Sequence, residues 1–413
     1  MIKAIVNGTI IDRKGKEIER NVLISGSKIT SVSKDIDVPK NAEIIDAAGK
    51  YVCPGFIDGH THQGLWQGSI GVEGMDFNEI YSAVTPHLRA IDAINPLDLD
   101  FRDAVVGGVT AINTGPGSAN ILGGEFILVK TAHKSVVDEL LVRTTGIKAA
   151  FGENPKRLHG RDNKREPFTR LGNAGIMRSI LAEAESYIDE MTHYEREYTR
   201  FTELGAQKRI EPKPVKRNAV LEAAIKLLKR ELPMHAHSHR ADDIVTAVRI
   251  CKEYKIEMVS IHTSEGHKIA EFLAKEKIPC IYGHPLFGRV KAELKDITWE
   301  VPRVLAEKGV DFCLQSDSSP PIQYFKILPM FAIKHGLDPR RAFQSVTIDA
   351  AKILGVEDRM GSIEESKDAD IVIWDGHPFN FNSFVEMTII DGKIEYQRDI
   401  NRPYRDTVWN AFG

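Results

Sequence analysis

Short apolar runs, broken by glycine and charged turn residues, open the chain. Ala4–Ile11, Val22–Ser25 and Ile29–Val32 are rich in β-branched residues and separated by turns such as Gly26-Ser27-Lys28, so each predicts a strand. The pattern returns near the other end in Ala369–Trp374 and Met387–Ile394. Neither end has enough strands for a stable core of its own. Pairing the two into one small β-sandwich, with the rest of the chain inserted between them, gives both a partner. The expected divisions are 1–54 and 359–413 for the two parts of the sandwich and 55–358 for the insert.

Between the ends the pattern changes. Candidate strands at Phe56–Asp58, Val109–Asn113, Phe126–Val129, Gly146–Phe151, Pro233–His237, Glu257–His262, Ile278–Tyr282 and Asp311–Gln315 alternate with helical stretches. The helices are expected at Pro96–Val106, Asp242–Glu253, Lys268–Ala274, Val301–Glu307 and Ile322–Lys334. Eight strands interleaved with helices predict an α/β fold, a parallel (β/α)8 TIM barrel, whose active residues belong at the C-terminal ends of its strands. One departure is a charged helical insertion from about 160 to 230, with patterns over Ile176–Glu190, Tyr194–Leu204 and Ala219–Lys229. It is read as a lid or an oligomer contact, with a plain solvated excursion as the simpler alternative.

Composition narrows the function. The 413 residues carry a net charge of -3, which gives no basic bias for non-specific nucleic-acid binding. No run reaches the ~18 apolar residues of a membrane span, and the N-terminus opens a strand instead of a signal peptide. Cys53, Cys251, Cys280 and Cys313 lack CxxC spacing and read as buried thiols of a cytoplasmic protein. The expected partners are a small-molecule substrate and further copies of the chain, with neither nucleic acid nor membrane.

The first barrel strand ends Pro54-Gly55-Phe56-Ile57-Asp58-Gly59-His60-Thr61-His62. Residues two apart on a strand face the same side, so His60 and His62 can aim at one point, an arrangement that suits Zn²⁺, Fe²⁺ or Mn²⁺. The fifth strand ends in His235, His237 and His239, the sixth in His262 with His267 beyond it, and the eighth in Asp317. Any one of these histidines is more simply a surface or core residue. Their joint placement at strands one, five, six and eight points instead to a metal site, with one of the three fifth-strand histidines as a ligand. A metal there lowers the pKa of bound water toward neutrality, and Asp317 would take that proton and return it to a leaving amine. Less specific features on the same face are the Gly-rich Asn113–Asn120 loop and the basic run Lys156, Arg157, Arg161, Lys164, Arg165 and Arg170. A plain turn and a solvated loop are their simpler readings. His284 ends the seventh strand toward the same cavity.

Taken together, the segment 54–62, the fifth- and sixth-strand histidines, Asp317 and the tail Gly361–Trp374 resemble the amidohydrolase superfamily across essentially the whole chain. The nearer resemblance is to its imidazolonepropionase-type and dipeptidase-type members. The resemblance implies a metal-bearing barrel with a composite β-sandwich, hydrolysing C–N bonds of amides, cyclic amides or aminated rings. It implies one or two divalent metals, zinc foremost and iron or manganese as alternatives. Carried over by motif, the ligands are His60, His62, His237, His262 and Asp317, with His239 as a substrate or supporting group and Asp317 also the proton shuttle. Lys148 on the fourth strand would, as in binuclear relatives, be carboxylated and bridge two metals. Glu153 is the competing ligand, and an ordinary salt bridge the third option for Lys148. Two rival functions remain. One is a deaminase of an aminated heterocycle, which usually carries a Glu soon after the fifth-strand His, where this chain has His239. The other is a non-catalytic barrel scaffold.

Overall fold

The computed structural model describes residues 1–68, 70–204, 211–283 and 285–399. At its centre is an eight-stranded sheet that curls almost closed. Its strands, first to eighth, are Phe56–Thr61, Val109–Thr114, Leu122–Lys130, Leu141–Ala150, Met234–Ser238, Met258–His262, Cys280–Tyr282 and Phe312–Leu314. Each overlaps an expected strand. At the seam the first and eighth strands form no regular ladder. They meet through the backbone bond from Asp317 N–H to His60 O at 3.0 Å. Gly59 permits this approach, because a Cβ there would lie 2.6 Å from Cys313 Sγ and 2.9 Å from Leu314 O.

The sheet differs from the expected parallel barrel in one strand. Leu122–Lys130 runs antiparallel to both neighbours, whereas the other neighbouring pairs are parallel. The connections 115–121 and 131–140 contain no α-helix. A parallel crossover needs about a dozen residues or more, usually including a helix, so the short connections impose hairpin geometry. The reversal puts Leu122 at the rim where the other strands end, and Lys130 at the opposite end of the barrel.

Helices Leu99–Val106, Ala241–Glu253, Ala270–Glu276, Val301–Glu307 and Ile327–Lys334 fall where periodicity placed them. In the 160–230 segment the first two expected patterns merge into one helix, Arg170–Leu204, followed by Ala219–Leu228. Met177, Leu181 and Ala184 on the first and Ala224 and Leu227 on the second are buried with Ile147 and Met234 of the barrel wall. These helices therefore cover the outside of strands four and five, as barrel helices do. Arg170, at the start of the first helix, lines a cleft beside the mouth.

The terminal segments form two further sheets. One has four strands, all from the N-terminal region: Ile2–Val6, Asn21–Ser25, Lys28–Ser33 and Glu43–Asp46. The other has six and joins both ends of the chain, with Thr9–Ile11, Glu17–Glu19 and Tyr51–Pro54 beside Ile371–Trp374, Val385–Ile390 and Lys393–Gln397. The run Ala4–Ile11 is thus two strands in two sheets, divided where Asn7 takes φ 64° beside Gly8. Ile5, Val22, Ile24 and Ile29 of the first sheet share a core with Ile10, Val52, Ile371 and Ile389 of the second. The four cysteines are free and buried. Among the described residues no helix is long and apolar enough to cross a membrane.

Candidate metal centre

Five of the eight barrel strands, the first, fourth, fifth, sixth and eighth, deliver polar side chains to one interior, and the local sequence explains how. The first strand is wholly buried and carries His60 at the rim with His62 just beyond. Asp58, also fully buried, accepts from the Ser316 and His60 N–H groups at 2.9 and 3.2 Å and from the Ser316 hydroxyl, tying the ends of strands one and eight together. Burial outweighs those bonds and pushes the Asp58 carboxyl up to about 7. At the ends of strands six and eight the backbone turns sharply: His262, Thr263, Asp317 and Ser318 all have φ between 50° and 68°. Non-glycine residues there cost about 1–3 kcal/mol each, and such strain clusters at functional sites.

The side chains converge. His60 Nε2 lies 3.1 Å from Lys148 Nζ and 3.6 Å from Asp317 Oδ1. His62 Nε2 lies 3.3 Å from Asp317 Oδ1, and His262 Nε2 4.0 Å from Asp317 Oδ2. The His237 ring is 4.4 Å from that of His262 and 4.8 Å from that of His239. Two donor groups result, His60–His262–Asp317 and His237–His239–His262, each with its ligand atoms within 4.8 Å of one another. They share His262.

Supporting bonds orient the rings. His62 Nδ1 meets the Gly115 carbonyl at 2.7 Å, which makes that nitrogen the donor and turns Nε2 toward Asp317. His239 Nδ1 is 2.8 Å from Ser264 Oγ. His262 Nδ1 is 2.9 Å from the Gln315 carboxamide, whose Oε1 is buried without a partner. Turning that amide over lets its oxygen accept from Nδ1–H and frees His262 Nε2 as a ligand.

Burial pushes His60, His237 and His239 well below the usual imidazole range, and brings His262 to about 3, so these rings are neutral. Burial also lowers Lys148 to about 7, only partly offset by Asp317. For Asp317 burial acts upward, but His262, His62 and Lys148 outweigh it and hold the carboxyl well below its usual range. His60 Nδ1, His237 Nδ1, His239 Nε2 and Asp317 Oδ1 are buried with no hydrogen-bond partner among the described residues. Neutral imidazoles beside an ionised carboxylate, with buried lone pairs left unmatched, are the donor set of a divalent cation. The residues present fit such a group.

All seven expected site residues, His60, His62, Lys148, His237, His239, His262 and Asp317, therefore lie in one interior. His235 sits deeper, both ring nitrogens buried and unpartnered, with Phe126 at 5.6 Å. Glu153 opens a short helix, lines an outer cleft and joins neither donor group. His267 lies past the strand end in the turn Gly266–Ile269, and His284 lies outside the described residues. Sequence reasoning missed Asn154, Ser264, Lys291 and Glu293. They sit on loops or in single helical turns too short to show a periodicity, although Glu293 is buried and reaches within 3.9 Å of His239 Nε2. A cavity of about 430 Å³ opens above the donors, lined by residues that include Trp66, Phe77, Arg157, Lys291 and Asp317.

Comparison with known proteins adds a second line of evidence. The amidohydrolase family profile matches residues 297–394. The crystal structure of an amidohydrolase from Thermotoga maritima MSB8 superposes with a TM-score of 0.89 at 36% identity, covering 96% of this chain and 100% of that one. Amidohydrolase tasK of Hapsidospora irregularis is 28% identical over 94% of the chain, which spans only 42% of that protein. A dihydroorotase of Thermoanaerobacter sp. (strain X514) is 24% identical, covering 96% of this chain and 97% of its own length.

Proposed function

This chain belongs to the amidohydrolase family, and from that premise we propose a metal-dependent hydrolase that cleaves a C–N bond of a small molecule. The observation that carries the reading is the set of buried, unpartnered imidazole and carboxylate atoms at the strand ends. His60, His62, His237, His262 and Asp317 would supply the ligands for one or two such cations. Zinc suits the set best, with iron or manganese as alternatives. When bound, the cation supplies Lewis acidity and makes water nucleophilic near neutral pH.

The residues divide the remaining work. Asp317 is ionised across the neutral range, so its carboxylate can take a proton from the attacking water and deliver it to the departing nitrogen. Lys148, brought down to about 7 by burial, could take up CO₂ as a free amine, and the carbamate would then offer oxygen ligands to a divalent cation. His239, fixed by Ser264, faces the cavity as a substrate contact. The two terminal sheets sharing one core are read as a composite β-sandwich flanking a barrel over 55–358.

Two experiments test the reading. Elemental analysis of protein expressed with added zinc should find about one or two divalent ions per chain. A panel of N-acyl amino acids, dipeptides, lactams and aminated rings should include a substrate turned over only by metal-loaded protein. Ammonia released from aminated rings alone, with amides untouched, would favour the deaminase instead.

A further inference from the structure

The cavity above the donors is divided chemically. On one side the loop after the first strand stacks Trp66 on Phe77, ring centroids 5.2 Å apart and 6° from coplanar, and Phe77 in turn lies 5.3 Å from His62. Trp66 is still 39% exposed, so an aromatic face is open to a ligand. On the other side, loops after the fourth and seventh strands bring cations. Lys291 Nζ lies 3.1 Å from Asn154 Oδ1 and 3.1 Å from Glu293 Oε1, with its side chain only 19% exposed. Asn154 Oδ1 accepts one of the ammonium's three donors, and Lys291 lines the cavity.

Glu293 does not cancel this charge alone, because Arg170 Nη2 also approaches it at 3.5 Å. Arg157 lines both this cavity and an adjacent outer cleft of about 810 Å³. In that cleft Arg170, Arg240 and Lys268 are matched by acids, at 2.9, 2.7 and 2.7 Å from Asp243, Asp242 and Glu265. Lys156, Arg157, Arg161 and Lys295 line it with no salt-bridge partner among the described residues. Unmatched cations on the approach to a buried site concentrate anions there.

From this division we propose that the substrate is an N-acylated amino acid with an aromatic or large apolar group. Its free carboxylate is received by Lys291 and Arg157, and its apolar group packs against Trp66 and Phe77. The inference rests on the hydrolase reading above and narrows its substrate class. The reaction balances as an ordinary hydrolysis: water adds its oxygen to the acyl carbon, the C–N bond breaks, and the nitrogen leaves with a proton. The products are a carboxylate and an amino acid.

The test titrates two probes, N-acetyl-L-phenylalanine and its carboxamide, calorimetrically into zinc-loaded protein at low ionic strength. The carboxylate should bind about tenfold more tightly, the worth of one charge-assisted hydrogen bond. Lys291→Met and Arg157→Gln should each narrow that preference. Equal affinity for the two probes overturns the proposal. So does a carboxylate preference untouched by both variants, because the metal alone would then explain it. Turnover distinguishes this inference from the reading beneath it. Carboxylate preference without hydrolysis of any panel amide supports the anion subsite and sinks the hydrolase. Hydrolysis of neutral amides with no carboxylate preference does the reverse.

Discussion

Two lysines are buried at opposite ends of the same barrel, and they behave in opposite ways. Lys130, at the closed end, lies 2.9 Å from Asp368, 3.2 Å from Asp370 and 2.5 Å from Asp391. Burial works against its charge, yet Asp370, Asp391 and Asp368 more than compensate and raise its pKa. Lys148, at the open end, has one close partner, the neutral ring of His60, and burial brings it down to about 7. Asp368 in turn is shared with Lys28 and Arg359, so the Lys130 cluster joins the barrel to the terminal sheets. The carboxylates around Lys130 match its charge and tie the barrel to the terminal sheets, whereas the unpartnered ring and carboxylate atoms near Lys148 leave donors free for a cation.

The comparison breaks first at Asp317. Asp317→Asn should lower turnover of whichever panel amide proves to be a substrate by about 10²–10⁴-fold, the usual worth of a positioned general base, while elemental analysis finds the metal retained. Unchanged turnover would remove Asp317 from the proton path. Next come the two lysines. Lys130→Met leaves its carboxylates facing one another and should cost about 3–5 kcal/mol in denaturant unfolding, with metal content unchanged. Lys148→Ala should do the converse, lowering bound metal by about one equivalent with no comparable loss of stability.

The lysines also differ in pH dependence. Lys148 has a folded-state pKa of about 7, below its unfolded value, so the unfolded chain binds more protons between there and about pH 10.4. Metal-free protein should therefore gain stability relative to Lys148→Met as pH rises through that window, by at most about 1.4 kcal/mol per unit. Lys130 has the opposite sign. Its raised pKa gives stability that is fully present below the unfolded value and lost as pH rises through the folded one. Paired unfolding curves at several pH values check both. The smallest effect belongs to Lys28, which is 46% exposed on its side chain. Lys28→Ala should cost no more than about 1 kcal/mol, because Asp368 keeps Lys130 and Arg359.

The sequence made one of the two lysine environments legible. Lys148 stood out through the resemblance to binuclear relatives, with Glu153 and an ordinary salt bridge as its rivals, while the positions of His60, His62 and Asp317 at strand ends follow from alternation and from the barrel rule. Lys130 did not, since its partners Asp368, Asp370 and Asp391 are more than two hundred residues away and nothing local pairs them. The eight strands were legible from their apolar runs, but the direction of Leu122–Lys130 was not. Direction is set by what the connections can span, and a hydrophobic run reads the same both ways. The break at Asn7-Gly8 was hidden for a similar reason: both halves of Ala4–Ile11 are apolar, and only the backbone turn sends them to different sheets. Glu293 and Lys291 were missed because a loop or a single helical turn has no period to reveal which of its charges is buried.

The most direct test is a crystal of the zinc-loaded protein, measured at the metal's absorption edge. An anomalous peak should lie about 2.0–2.2 Å from ligand atoms drawn from His60, His62, His237, His262 and Asp317. A rim without such a peak, or a metal bound only elsewhere, would contradict the account.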